Sequence, residues 1–157
     1  MKKFSANYLI SDTGAFLKNG IIVCSDEGDS LEYIDTTNDL KEIAQLAFYS
    51  GILMANFSWV KSVTSALDTP NNQSIKSVLI QQVAGQSQVS IQNLIELAIQ
   101  IQLQFPLMKI NEIFHEINCV LSNEGFSKQN ISGIFLLNGV DLVGMKFTLN
   151  SRLKKIC

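Results

Sequence analysis

Two stretches with apolar residues at helical spacing stand between runs that read as strands, and this order constrains the fold more than any other feature of the chain. Ile91, Leu94, Ile95, Ala98 and Ile101 fall on one helical face, with Ser90 placed to cap it and Phe105-Pro106 near its end. Ile110, Ile113, Phe114, Ile117, Val120 and Leu121 mark a second helix that Gly125 can terminate. Ahead of them, residues 7–10, 15–18 and 20–24 are short strand-like runs broken by Gly14 and by Asn19-Gly20, a dipeptide that predicts a hairpin turn. Ser25-Asp26-Glu27-Gly28-Asp29 is a polar turn, and Leu31-Glu32-Tyr33-Ile34-Asp35 alternates as a half-buried strand does. Asp39 to Ala44 reads as a helical turn before the apolar run from Leu46 to Met54. After the helices come Ile134-Phe135-Leu136-Leu137, the turn Asn138-Gly139, and a last strand-like region from Met145 through Leu153. The expected class is α+β, with a β-sandwich-like sheet built from both chain termini and two or more helices packed on it.

The chain has 157 residues, enough for one compact domain with a core of its own. The expected division is a single domain over 1–157, with sandwich-like strands from 1–57 and 131–157. Charged residues make up 17% against a usual figure of about 25%, while apolar residues reach 46%. Twelve basic and fourteen acidic side chains leave a net charge of −2. That balance gives no basic footprint for nucleic acid and little repulsion between copies, so a homo-oligomer or a tight protein partner is expected. The amino-terminal residues lack the unbroken apolar stretch of a signal peptide, and no window approaches the roughly 18 apolar residues of a membrane span. The expected location is cytoplasmic. Cys24, Cys119 and Cys157 are far apart, form no Cys-x-x-Cys pair and have only one histidine to join them, so they read as incidental thiols.

Read as words, Gly14-Ala15-Phe16-Leu17-Lys18-Asn19-Gly20-Ile21-Ile22-Val23 followed by Leu31-Glu32-Tyr33-Ile34 resembles the opening strands of the amidohydrolase superfamily. Phe48 to Phe57 is similar to that family's passage from its small sandwich domain into the first barrel strand, with Ala55-Asn56 where Pro-Gly is usual. Leu94-Ile95-Glu96-Leu97, Phe105-Pro106 and Ile110-Asn111-Glu112-Ile113-Phe114 resemble the last helices of cytosine-deaminase-like and aminodeoxyfutalosine-deaminase-like members. Gly133 to Leu142 is similar to the strand that returns to the sandwich. The resemblance covers roughly residues 4–61 and, more loosely, 78–155. A complete (β/α)8 barrel needs about 250 residues, which the interval from Phe57 to Gly125 cannot hold. The resemblance therefore implies a remnant with most of the barrel deleted, residues 58–130 keeping barrel strands and helices. On this alignment Val78 to Val83 corresponds to the eighth barrel strand, left paired in parallel with the first.

Catalysis in that family uses metal ions that lower the pKa of a bound water, held by His-x-His after the first strand, further histidines, and an aspartate after the eighth. The resemblance places Lys61 and Val63 at the His-x-His positions and Val83 at the aspartate. A protonated lysine repels a metal and valine has no donor atom, and the one histidine of the chain is His115. No catalytic residue, metal ligand or cofactor is therefore expected. His115, beside Glu116 on the second helix, reads as a surface residue, a general base being the chemical alternative. Asp26, Glu27 and Asp29 read as a solvated turn, without the alternation of a calcium loop.

The functional expectation is a catalytically inactive amidohydrolase-like protein acting by self-association or by binding a protein partner, a full-length amidohydrolase being one such partner. The alternative is a metal-dependent C–N hydrolase or deaminase subunit completed in trans. Met54, Phe57, Trp59 and Val60, at the former barrel junction, are the expected interface, with core burial as the competing reading.

Overall fold

The computed structural model describes residues 1–11, 15–27, 30–39, 43–58, 91–123 and 130–157. Among the described residues, seven strands and two helices follow in the order β1 (Lys2–Ile10), β2 (Phe16–Lys18), β3 (Ile21–Cys24), β4 (Ser30–Ile34), β5 (Leu46–Ser58), α1 (Ile91–Gln104), α2 (Ile110–Asn123), β6 (Asn130–Asn138) and β7 (Arg152–Lys155). The strands form one sheet ordered β4-β3-β1-β5-β6-β7, with β2 alongside the far half of β1. The expected mixed α+β class is what the chain adopts, and both of its ends contribute strands to the sheet. β1 and β5 are parallel, and every other pair is antiparallel.

The helices form where apolar spacing places them. Leu94, Ile95, Leu97, Ala98 and Ile101 of α1 are buried while Glu96 and Gln100 are exposed, so one stripe meets the sheet and the other meets water. On α2, Ile110, Ile113, Phe114 and Ile117 are buried in the same way. Glu112 starts this helix by accepting the Lys109 N–H at 2.7 Å, which satisfies a donor and sets a negative charge at the positive end of the helix. These side chains share a core with Ile10, Ile52, Met54 and Leu137 from the sheet, joined by Met145 and Phe147. Each aliphatic side chain so buried contributes about 1.5–3 kcal/mol before the entropy of ordering it is subtracted.

The opposite face is also apolar. Phe4, Ala6, Leu9, Ile22, Cys24, Leu53, Ala55, Ile134 and Leu136 bury one another there, with Tyr33, Ile156 and Cys157 against them. Cys157 lies beyond β7, yet it packs on the cluster holding Cys24 of β3, although β1, β5 and β6 stand between them in the sheet. Such a contact requires a strongly curled sheet. Its central strands are buried on both faces, which is why they read as nearly continuous apolar runs.

Two local expectations are corrected. Asn19-Gly20 is not the hairpin turn: β2 and β3 pair β1 in one unbroken register, from Ile10↔Phe16 to Lys2↔Cys24. The reversal lies between Ser11 and Ala15, where Ser11 N–H donates to Ala15 O at 2.9 Å and Ala15 N–H to Ser11 Oγ at 3.0 Å. Asn19, in the left-handed region at φ 53, only kinks the strand and still donates to Asn7 O at 3.1 Å. The last strand does not start at Met145, because Met145 itself is left-handed at φ 53 and the chain from Gly139 to Ser151 is a hydrogen-bonded loop. The helical turn expected from Asp39 to Ala44 falls largely on residues 40–42, outside those described; ahead of it Thr37 and Asn38 are left-handed, and Asp39 N–H closes a turn onto Thr36 O at 3.0 Å. The proposed parallel partner of the first barrel strand, Val78 to Val83, also lies outside the described residues.

Candidate functional site

Met54 is a correction to the expected interface. β5 aims its side chain at the helices, where it is buried in the main core and cannot meet a partner. Phe57 is placed by its backbone, paired with Ile131 on β6, while Trp59 and Val60 lie outside the described residues. So do Lys61, Val63 and Val83.

His115 is exposed on α2. Among the described residues no group of three or more His, Cys, Asp or Glu side chains is placed to hold a metal ion. Asp26 has a different use. Its carboxylate accepts a hydrogen bond from the Met1 ammonium at 3.0 Å, and that bond and charge hold it below the ordinary carboxylate range. Glu27 is exposed beside it, and Asp29 is outside the described residues.

A different site is assembled where the end of α1, the α1–α2 connection and the loop after β6 meet. Gln102 on α1 makes a two-pronged contact with Phe147: its amide donates to Phe147 O at 3.0 Å and its carbonyl accepts Phe147 N–H at 2.7 Å. One side chain thereby supplies the pairing that a neighbouring strand would. Lys146 Nζ donates to Pro106 O and Met108 O, holding two carbonyls of the connection that no helix satisfies. Ile110 N–H at the start of α2 donates to Met145 O at 2.9 Å. Below these bonds the Phe147 ring is buried edge-on against Phe114, with centroids 5.8 Å apart at 69°.

The loop is also braced within itself. Asp141 and Lys146 exchange both backbone hydrogen bonds, and Asp141 Oδ1 accepts the N–H groups of Val143 and Gly144, each at 3.1 Å. The buried Ser151 Oγ donates to Gly139 O at 3.2 Å and accepts Thr148 N–H at 2.8 Å, while Thr148 Oγ1 also donates to Gly139 O.

This braced frame carries apolar side chains outward. Val143 is 99% exposed, Leu149 97%, Leu107 94% and Leu103 68%. Single exposed apolar residues need no explanation, since much of any protein surface is apolar. Here four of the seven large exposed apolar residues among those described, the others being Met1, Phe16 and Phe48, stand on two segments bonded to each other. Bracing the backbone that carries them removes part of the ordering cost of binding. The sequence signal was the type of neighbour: Leu107 follows Pro106, Val143 precedes Gly144 and Leu149 precedes Asn150-Ser151, so each sits in turn chemistry where a polar residue is usual.

No protein-family model, curated protein or solved structure matches the chain. Among the described residues, no helix is long and apolar enough to cross a membrane.

Proposed function

We propose that this chain is a catalytically inactive amidohydrolase-like protein that acts by association, and that its first partner is a second copy of itself. The observation that carries the reading is the outward placement of Leu103, Leu107, Val143 and Leu149 on two segments hydrogen-bonded to each other, the apolar end of the molecule in this reading. Low charge supports it, because a net charge of −2 opposes self-contact only weakly. The reading as inactive in that hydrolysis rests on the residue inventory: one histidine, exposed on α2, cannot replace the several that a metal-dependent C–N hydrolase uses.

Replacing both Leu107 and Leu149 by Asp tests this surface. Neither side chain is needed by the core, so the melting temperature is expected to stay near that of the parent. A buried charge at each position costs about 1–2 kcal/mol or more of association, tenfold or more in Kd per site. Light scattering after gel filtration should show the parent as an oligomer and the double variant as a single chain. An unchanged oligomer in a folded double variant removes this end of the molecule from the interface.

A further inference from the structure

The face of the sheet turned away from the helices brings two sulfurs together. Cys24 on β3 is fully buried, and Cys157 is half-buried against the same cluster. Both converge on Lys2: the Cys24 thiol donates to Lys2 O at 3.6 Å, and Lys2 Nζ lies 4.0 Å from Cys157 Sγ. Both side chains belong to the same apolar cluster, Cys24 within it and Cys157 packed against it. Neither backbone is loose. Cys24 pairs Lys2 in the β1–β3 ladder, and Cys157 O accepts Ile134 N–H at 3.0 Å on β6. A disulfide needs its Cβ atoms about 4 Å apart, a spacing within reach of two thiols that flank one lysine and pack on one cluster.

We propose that Cys24 and Cys157 are a thiol pair that closes to a disulfide in response to a small-molecule disulfide oxidant, of which glutathione disulfide is the representative, and so locks the curled sheet.

Exposure orders the steps. Cys157, the reachable sulfur, gives its proton to solvent and attacks one sulfur of glutathione disulfide. That sulfur–sulfur bond breaks, a mixed disulfide forms on Cys157, and one glutathione leaves as thiolate. Cys24 then loses its proton to solvent and attacks the Cys157 sulfur, and the second glutathione leaves. Both released thiolates take up a proton, so two protein thiols lose two electrons and one oxidant disulfide becomes two thiols. Burial, and then the neighbouring Cys157, push the Cys24 thiol up to about 11. Burial, the larger cause, persists when Cys157 is in the mixed disulfide, so the second step is slow near neutral pH and quickens as pH rises.

The bond would enclose nearly the whole chain between residues 24 and 157, and the restriction of the unfolded state grows with loop length. A rise in melting temperature on the order of 10 °C is expected on closure.

The test uses the full chain with Cys119→Ser, so that the third cysteine cannot contribute. After incubation with glutathione disulfide, alkylation and digestion without reductant, a peptide joining residues 24 and 157 is expected. The intact mass should be lower by two hydrogens and the melting temperature higher, both reversed by dithiothreitol. Cys157→Ser should show neither change. If Cys119→Ser does not fold, the same peptide is expected from the unsubstituted chain. Glutathione retained on Cys157 without the joined peptide, a disulfide between two copies, or two unreacted thiols each overturns the proposal.

Discussion

Gly51→Ala is expected to lower the melting temperature by on the order of 10 °C, or to leave the chain insoluble. Gly51 sits on β5 between β1 and β6, at φ 138, a conformation that side chains rarely adopt. A Cβ there would lie 2.4 Å from Leu137 O, a backbone atom on a paired strand with nowhere to move. The same position is where the β1–β5 register shifts, between Ala6↔Tyr49 and Tyr8↔Ile52. Asn7 Oδ1 fills the gap by accepting Gly51 N–H at 2.9 Å, so the irregularity is a fitted part of the sheet. Strain and overlap together cost about 3–5 kcal/mol, a large share of a typical folding free energy of about 5–15 kcal/mol. Thermal unfolding of Gly51→Ala beside Ser50→Ala, the latter on an exposed neighbour, checks this. A Gly51→Ala protein that melts with its parent would show that β5 and β6 are not paired as described.

Gly139→Ala should act on the apolar end while sparing the sheet. Gly139 is left-handed at φ 69, and an added Cβ would fall 2.1 Å from Asn150 O. The conformation alone costs about 1–2 kcal/mol for alanine, and the overlap adds to it. Gly139 O is also the acceptor that Ser151 and Thr148 share, so displacing it loosens both ends of the loop carrying Val143 and Leu149. The expected result is loss of amide-exchange protection confined to residues 139–151, together with weaker association. Protection lost throughout the sheet would mean instead that the loop is an integral part of the core. Retained association despite a loosened loop would place the interface elsewhere.

The helices were legible because burial on one side leaves a periodic trace: Leu94, Ile95 and Ala98, then Ile113, Phe114 and Ile117, all face the core as their spacing implied. The strand Leu31 to Ile34 was legible for the corresponding reason at period two, and it pairs β3 as β4. Asn19-Gly20 misled because the dipeptide reports only a local preference for left-handed backbone. A kink inside a long strand satisfies that preference as well as a turn does, and the nine residues of β1 need a partner of matching length. Within the strand-rich stretch 1–57, Lys2 to Ala6 carried no strand run of its own, since Lys2, Lys3 and Ser5 interrupt its apolar pattern. Ser5 is nonetheless buried, its hydroxyl donating to Gly20 O at 2.9 Å.

The candidate site was less legible than the fold. Met54 looked like junction surface, but which face of β5 the helices cover depends on residues some fifty positions away. The apolar end depends on bonds such as Gln102 to Phe147 and Lys146 to Pro106, which join segments about forty residues apart and leave no periodic trace. Cys24 and Cys157 form the extreme case, brought together by curl that is a property of the whole sheet.

Association in place of metal chemistry is the central claim, and the mass of the unsubstituted chain in solution tests it most directly. Sedimentation velocity over a wide range of concentration should show an assembly of two or more copies that falls toward a single chain on dilution. A single-chain mass at every concentration would contradict the claim.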